Sequence, residues 1–252
     1  MAGRVIGVIP ARLQSTRLPR KLLLNETGKP LLQYTWEAAT QASSLSEVLV
    51  ATDSIEISAC VRRFGGQVEL TSNHPSGTDR VAEIARRYRP DADILVNIQG
   101  DEPEIDPQAI DTLVKTLQSS PSAQMATLAT PITNQADLED PGCVKVVCGM
   151  DGRALYFSRL PIPFVRDADT DELLNTESPW KLHLGIYAYR RAFLMRMTEL
   201  PPSPLEQLEK LEQLRALEAG GNIRVATVFH HAAGIDTPAD YNRFVTRQKQ
   251  AA

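Results

Sequence analysis

Three cysteines in 252 residues are too few for a disulfide scaffold. Two of them, Cys143 and Cys148, lie in "CVKVVC", which reads as a strand. Their odd separation predicts thiols on opposite faces, so they are expected neither to pair nor to share a metal. Unpaired thiols suit a reducing cytosol. Long hydrophobic runs are also missing. None approaches the ~18 residues of a membrane-spanning helix, so no membrane insertion is expected. The first apolar run, Val5 to Ile9, is too short for the core of a secretory signal and leads straight into charge. Positive charge is not in surplus: 27 Lys and Arg stand against 31 Asp and Glu, a net of -4. A general nucleic-acid binder needs a basic face, so no nucleic-acid partner is expected. The glycine signatures G-x-x-x-x-G-K-[ST] and G-x-G-x-x-G are absent as well, which weighs against a P-loop NTPase and a Rossmann oxidoreductase. One further absence is local. From Met1 to Lys21 the chain carries Arg4, Arg12, Arg17, Arg20 and Lys21 and no acid at all.

A 42% hydrophobic content supplies a core for one large α/β domain. Apolar runs at 4–10, 47–52, 67–70 and 93–98 read as strands, and 30–43, 55–64, 78–89 and 107–117 as helices between them. Asp53 and Thr78 are candidate N-caps. Strands that alternate with helices pair in parallel through right-handed crossovers, so a doubly wound, mostly parallel sheet is expected. Farther on, strands at 126–131, 143–148, 154–159, 181–189 and 223–229 follow with little helix between them, which predicts a mixed sheet there. A polar loop spans 160–180, one Leu-rich helix 205–217, and a closing helix 238–249. The expected organisation is a single domain: 1–120 a nucleotide-binding part, 121–235 a part for sugar binding and dimerisation, and 236–252 the closing helix.

Open α/β sheets bind ligands beyond the carboxyl ends of their strands. "ARLQSTRLPRK" follows the first strand at that edge, and its hydroxyls and cations suit a polyphosphate. A solvated basic loop is the plain alternative. In "VNIQGDEPEIDP" a buried strand ends at Gly100, Asp101 and Glu102. Alone, Asp101 is a turn residue. Next to a phosphate-binding loop it is a candidate ligand for Mg2+, which favours one or two carboxylates plus phosphate oxygens. Asp236 in "AGIDTPADY" is either a second such carboxylate or a helix N-cap. Ser76, Gly77 and Arg80 in "TSNHPSGTDRVAEIA" open a helix whose N-terminus suits an anion, or else only cap it. In the strand 181–189, His183, Gly185 and Tyr187 share one face and suggest a pocket wall. Glu212 and Gln213 lie on a helix whose polar residues are mostly surface. His230 and His231 receive no role.

Taken in order, "IPARLQSTRLPRK", "HPSGTDRVAEIA", "VNIQGDEP", "ALYFSRLPIPF", "HLGIYAYR", "SPLEQLEKLEQLR" and "GIDTPAD" resemble the 3-deoxy-manno-octulosonate (Kdo) cytidylyltransferases, the CMP-Kdo synthetases of Gram-negative bacteria. The resemblance covers nearly the whole chain. It implies a nucleotide-diphospho-sugar transferase fold, a cytoplasmic homodimer, and the Mg2+-dependent joining of CTP and Kdo into CMP-Kdo and pyrophosphate for lipopolysaccharide biosynthesis. It also implies residue roles. Arg12, Arg17, Lys21 and Asp101 act in catalysis, and Arg12, Ser15, Lys21, Ser76, Gly77 and Arg80 hold CTP. Asp101 and Asp236 ligate Mg2+, and Gln99, His183, Tyr187, Glu212 and Gln213 hold the sugar acid. A related acid, such as 8-amino-Kdo or a sialic-acid-like sugar, is the alternative acceptor. A catalytically dead nucleotide-binding module is the alternative of another class; two separated acids beside the basic loop weigh against it. Relatives often show Gly-Lys-Pro where this chain has Arg20-Lys21-Leu22, so the lysine is kept and the glycine is not.

Overall fold

The computed structural model describes residues 3–230 and 234–251. His231 and Ala233, the first residue of "AGIDTPADY", lie outside them. In chain order the elements are β1 (Val5–Ala11), α1 (Leu31–Thr40), β2 (Glu47–Thr52), α2 (Ile55–Arg63), β3 (Gln67–Leu70), α3 (Gly77–Arg87), β4 (Ile94–Asn97) and α4 (Pro107–Gln118). They continue with β5 (Met125–Pro131), α5 (Gln135–Glu139), β6 (Lys145–Cys148), β7 (Ala154–Ser158), α6 (Thr170–Asn175), β8 (Lys181–Arg190) and α7 (Arg191–Glu199). α8 (Pro204–Glu209), α9 (Gln213–Glu218), β9 (Ile223–Thr227) and α10 (Pro238–Ala251) close the chain. These elements gather into two compact units, one of residues 1–111 and 231–252, the other of residues 112–230.

The first unit is built on parallel strands in the order β3-β2-β1-β4. β1 and β4 are almost wholly apolar and buried, as strands covered on both faces must be. Their carboxyl ends lie at one edge, where the chain leaves β1 into the cationic loop and β4 into Gly100-Asp101. α10 completes the unit. Its Tyr241, Phe244 and Val245 pack with Leu18, Leu31 and Ile235, and the Tyr241 hydroxyl accepts the Glu26 N–H at 3.0 Å. Burying a Phe such as Phe244 contributes about 1.5–3 kcal/mol. The residues that flank the cationic loop are thereby held by the closing helix.

In the second unit the sheet is mixed, as expected. β5 pairs parallel with β9 and antiparallel with β8, and β6 pairs antiparallel with both β7 and β8. The register of β8 on β5 shifts between Thr127 and Leu128.

Several local expectations change. Ser54, not Asp53, caps α2, and Ser76, not Thr78, caps α3. In each case a neighbouring serine hydroxyl accepts the N–H three residues on, of Ile57 and of Asp79 respectively. Cys143 lies ahead of β6 rather than in it, and Cys60, Cys143 and Cys148 are all unpaired thiols. The Leu-rich stretch is two helices, because Lys210 adopts φ 55° and breaks the run. α6 forms inside the predicted loop, and α7 stands where the sequence predicts no helix. Among the described residues no helix is long and apolar enough to cross a membrane.

Candidate active site

The loop after β1 closes on a short 3-10 turn, Lys21–Leu23, which starts the Lys21 side chain back toward the sheet edge. Its ammonium donates to the Asp101 carboxylate, to Asp236 Oδ1 at 2.9 Å and to the Ile235 carbonyl at 3.0 Å. Three N–H groups meet three oxygens, so the ammonium is saturated. Arg17 pairs with the other Asp236 oxygen, Oδ2, at 3.0 Å. Two carboxylates that lie far apart in sequence therefore grip one cation, and a second cation, Arg17, flanks them.

Local structure explains why the acids reach that point. A Cβ at Gly100 would stand 3.3 Å from Ile9 and 3.5 Å from Leu22 and Leu32, so β4's exit packs closely against the core. The Thr35 hydroxyl fixes the Gly100 carbonyl at 3.0 Å. The Ile235 N–H donates to the Asp101 carbonyl at 2.9 Å, which ties the two acidic segments together. Asp236 does not cap α10. Thr237 does so, by accepting the Asp240 N–H at 3.2 Å, while the Asp240 carboxylate accepts the N–H groups of Asp236 and Thr237. The Asp236 carboxylate is left to the cations.

Around this triad runs a cleft of about 990 Å³. Arg12, Ser15, Arg17, Lys21, Ser76, Gly77, Arg80, Gln99, Asp101 and Asp236 all line it. Arg12 is exposed and has no ion-pair partner among the described residues, so its charge is available to a ligand. Arg20 is not part of the lining and pairs instead with Glu56. Arg20 has φ 57° and ψ 27°, the left-handed conformation that suits glycine. Ser76 uses its hydroxyl on Asp79. Arg80 is buried, and Asp53 answers its charge at 3.3 Å.

A divalent cation fits these donors. Hard carboxylate oxygens on two sides of one positive charge are what Mg2+ takes, and the Lys21 ammonium stands where a cation is called for. Among the described residues no cluster of three or more His, Cys, Asp or Glu could hold a metal alone. The remaining ligands must then be substrate oxygens or water. Next to Asp101, burial pushes the Glu102 carboxyl up to about 8, and the neighbouring charge of Asp101 adds to it.

His183, Tyr187, Glu212 and Gln213 belong to the second unit. The His183 and Tyr187 ring centroids are 5.5 Å apart, and Phe157 meets His183 edge-on at 4.9 Å. Thr127 Oγ1 lies 3.0 Å from His183 Nε2. Burial drives the imidazole down to about 3, so it is neutral near pH 7. Burial, and then the charge of Glu212, raise the Tyr187 phenol far above its ordinary range. Gln213 is buried. Glu209 accepts the Ser158 hydroxyl and the Arg159 N–H, both at 3.0 Å, and Arg159 Nε donates to the Glu209 carbonyl at 2.7 Å. This fixes the α8–α9 joint just ahead of Glu212. The fully buried Lys145 donates to the carbonyls of Asp140 and Arg159, and burial lowers its pKa. The sequence marks Asp53 only as a cap, not as the partner of Arg80, and gives Thr127, Lys145 and Arg159 no role. Only Arg159 carried a visible signal, as a cation ending a strand.

Comparison with known proteins agrees with this chemistry. A cytidylyltransferase family model matches residues 6–224. The 3-deoxy-manno-octulosonate cytidylyltransferase of Rhodopirellula baltica is 53% identical over 95% of this chain and 96% of its own. The protein of the same name from Geobacter sulfurreducens is 46% identical over 97% and 99%. A solved CMP:2-keto-3-deoxy-manno-octonic acid synthetase complexed with CTP superposes with TM-score 0.91 at 41% identity, covering 99% of this chain and 100% of that one. The 4-diphosphocytidyl-2C-methyl-D-erythritol synthase of Anaerococcus prevotii, 11% identical over 98% of this chain and 96% of its own, shares the fold alone with TM-score 0.60.

Proposed function

Because the chain belongs to the 3-deoxy-manno-octulosonate cytidylyltransferase family, we infer that it transfers CMP from CTP to the anomeric hydroxyl of Kdo, releasing pyrophosphate. The observation that carries the residue assignment is the Lys21 ammonium seated on both Asp101 and Asp236, with Arg17 on the latter, inside a cleft beyond the strand ends.

The attacking oxygen approaches the α-phosphorus in line with the departing pyrophosphate. Such transfers need positioning and charge neutralisation more than covalent help, so no side-chain nucleophile is required. Arg12, exposed and unpaired, receives phosphate oxygens first. Arg17 and Lys21 follow. Because Lys21 already donates all three of its N–H groups within the protein, it must exchange one of those oxygens for a phosphoryl oxygen as CTP docks. We assign Asp101 and Asp236 as the Mg2+ ligands; a divalent ion there supplies Lewis-acid polarisation of phosphate oxygens and lowers the pKa of a bound hydroxyl. Gln99, His183, Tyr187, Glu212 and Gln213 are proposed to hold the sugar acid. His183 is neutral at working pH, so it acts as a hydrogen-bonding group rather than a charge.

The protein is further proposed to be a cytoplasmic homodimer whose product feeds lipopolysaccharide biosynthesis. The unpaired thiols support the location, and the exposed Met150, Leu155, Leu160 and Phe164 of the second unit support a second copy as their cover. A pyrophosphate-release assay that crosses four nucleoside triphosphates with Kdo, 8-amino-Kdo and sialic acid, with and without Mg2+, tests the whole assignment. Release only with CTP, Kdo and Mg2+ is expected. Release with another acceptor at equal efficiency would move the substrate, and Mg2+-independent release would remove the metal role of the two aspartates.

A further inference from the structure

Where the chain leaves β3 it runs along the cleft before entering α3. Five consecutive residues, 73–77, line that wall. Between Leu70 and Ser76 the segment belongs to no helix or strand, so little in the backbone fixes it beyond the Thr71 N–H bond to the Thr52 carbonyl at 2.9 Å. What holds it is the inward face of α3. Arg80 reaches the Thr71 hydroxyl and the Ser72 carbonyl. Glu83, one turn farther along and only 5% exposed, accepts the Ser72 N–H at 3.0 Å and meets His74 Nε2 with the same oxygen. Its other oxygen takes Arg87, four residues on. Burial raises the cost of ionising Glu83, but its bonds to His74, Ser72 and Arg87 outweigh this and hold it below the ordinary carboxylate range. A buried carboxylate that does not reach the cleft itself thus grips two neighbouring points of the cleft wall.

The ligand that this wall faces follows from charge. The triphosphate belongs at Arg12, Arg17 and Lys21, the lining cations of the loop after β1, whereas Arg80 is spent on the wall itself, at Thr71 and Ser72. Arg80 is already matched by Asp53. The strip from Asn73 to Gly77 carries no Lys, Arg, Asp or Glu, so it is left with the uncharged end of the nucleotide, the pyrimidine ring. A ring edge is read by hydrogen bonds whose worth falls steeply once donor and acceptor are misaligned.

We infer that Glu83 is a positioning residue for nucleotide selection: it sets the 72–77 wall against which the base of CTP is held. This rests on the CTP-dependent reaction proposed above. The test compares wild type with Glu83→Gln and Glu83→Ala in steady-state pyrophosphate release, with CTP and UTP each varied at saturating Kdo. Glu83→Ala is expected to raise the KM for CTP by about tenfold and to shrink the CTP-over-UTP preference, while kcat and the KM for Kdo stay within about threefold. Glu83→Gln keeps one acceptor for the Ser72 N–H, so it should fall in between and partly rescue the KM. A purely structural role would lower the melting temperature and the active fraction without moving the KM for CTP or the CTP/UTP ratio. A folded Glu83→Ala enzyme with wild-type values of both would overturn the inference. Should Glu83→Ala fail to melt cooperatively, His74→Phe decides, since it removes the same contact from the other side; an unchanged KM for CTP there is equally fatal. Wild-type protein that binds CTP in calorimetry yet releases no pyrophosphate would refute the transfer reaction alone. The CTP dissociation constant of Glu83→Ala relative to wild type would then carry the test: a rise of about fivefold or more supports the inference, and a smaller one overturns it.

Discussion

Replacing Lys21 by Met keeps most of the side-chain volume and removes the ammonium from between two carboxylates. The effect on folding is small. Asp101 and Asp236 are about a quarter and two-fifths exposed, so each contact is screened and worth at most about 1 kcal/mol. Losing both, about 1–2 kcal/mol, lowers Tm by roughly 2–8 °C for a chain of this size. The effect on the reaction is larger. A donor aimed at charge that develops on the transferred phosphoryl group supplies a factor of about 10²–10³ in kcat, or about 3–4 kcal/mol. Lys21→Met should therefore lose kcat by that factor, with a cooperative melt only a few degrees lower. It should also bind Mg2+ more tightly in the absence of nucleotide, because no ammonium competes for the two carboxylates. Calorimetry of Mg2+ binding, differential scanning calorimetry and a pyrophosphate assay read the three quantities separately. A kcat within about fivefold of wild type, or weaker Mg2+ binding by the variant, would refute the placement of Lys21 as the cation shared by substrate and acids.

Asp236→Asn should raise the half-saturating Mg2+ concentration by roughly tenfold or more, since ligand charge sets affinity for hard cations; an unchanged Mg2+ titration would remove Asp236 from the site. Arg20→Gly relieves a left-handed residue at a cost of about 1 kcal/mol and gives up only a surface pair with Glu56, so Tm should rise by up to about 4 °C. Tyr241→Phe leaves the Glu26 N–H without its acceptor and should cost about 1 kcal/mol, visible as a lower urea midpoint with an unchanged slope. His183, neutral when folded with a value near 3, protonates first in the unfolded chain. Its contribution to stability is thus constant above about pH 7 and is lost as pH falls below 6.5, by up to about 1.4 kcal/mol per pH unit. His183→Gln should flatten the stability–pH curve between pH 6.5 and 4, and a variant with the wild-type slope would show that the ring is accessible to protons.

The sequence exposes those parts of the site whose physics is local. Four cations without an acid, Arg12, Arg17, Arg20 and Lys21, mark the loop after β1, because no core could absorb them unpaired. Apolar runs mark β1, β2 and β4, because strands buried on both faces tolerate little else. Asp101 stands out because a carboxylate follows a buried strand at once. What the sequence hides is pairwise. Nothing in "LPRK" shows that Lys21 will sit on Asp236, more than two hundred positions away. Caps shift by one place where two capable residues adjoin, as in Asp53-Ser54, since only backbone angles choose between them. The break at Lys210 is invisible because leucines keep helical spacing across it, and no glycine announces the left-handed turn. α7 is missed for the converse reason: β8 runs straight into it with no proline or glycine to punctuate the change.

The closing helix has one more consequence, for biosynthesis. The first unit is discontinuous in the chain, with residues 112–230 translated between its two pieces. A ribosome adding about 5–20 residues per second needs on the order of ten seconds to cross that interval. All that time the nascent cationic loop lacks both Asp236 and the Tyr241–Phe244 anchor beneath it. A half-made chain therefore carries a basic, unanchored segment that cannot yet turn over nucleotide, and competence arrives in a single late step when the last helix docks.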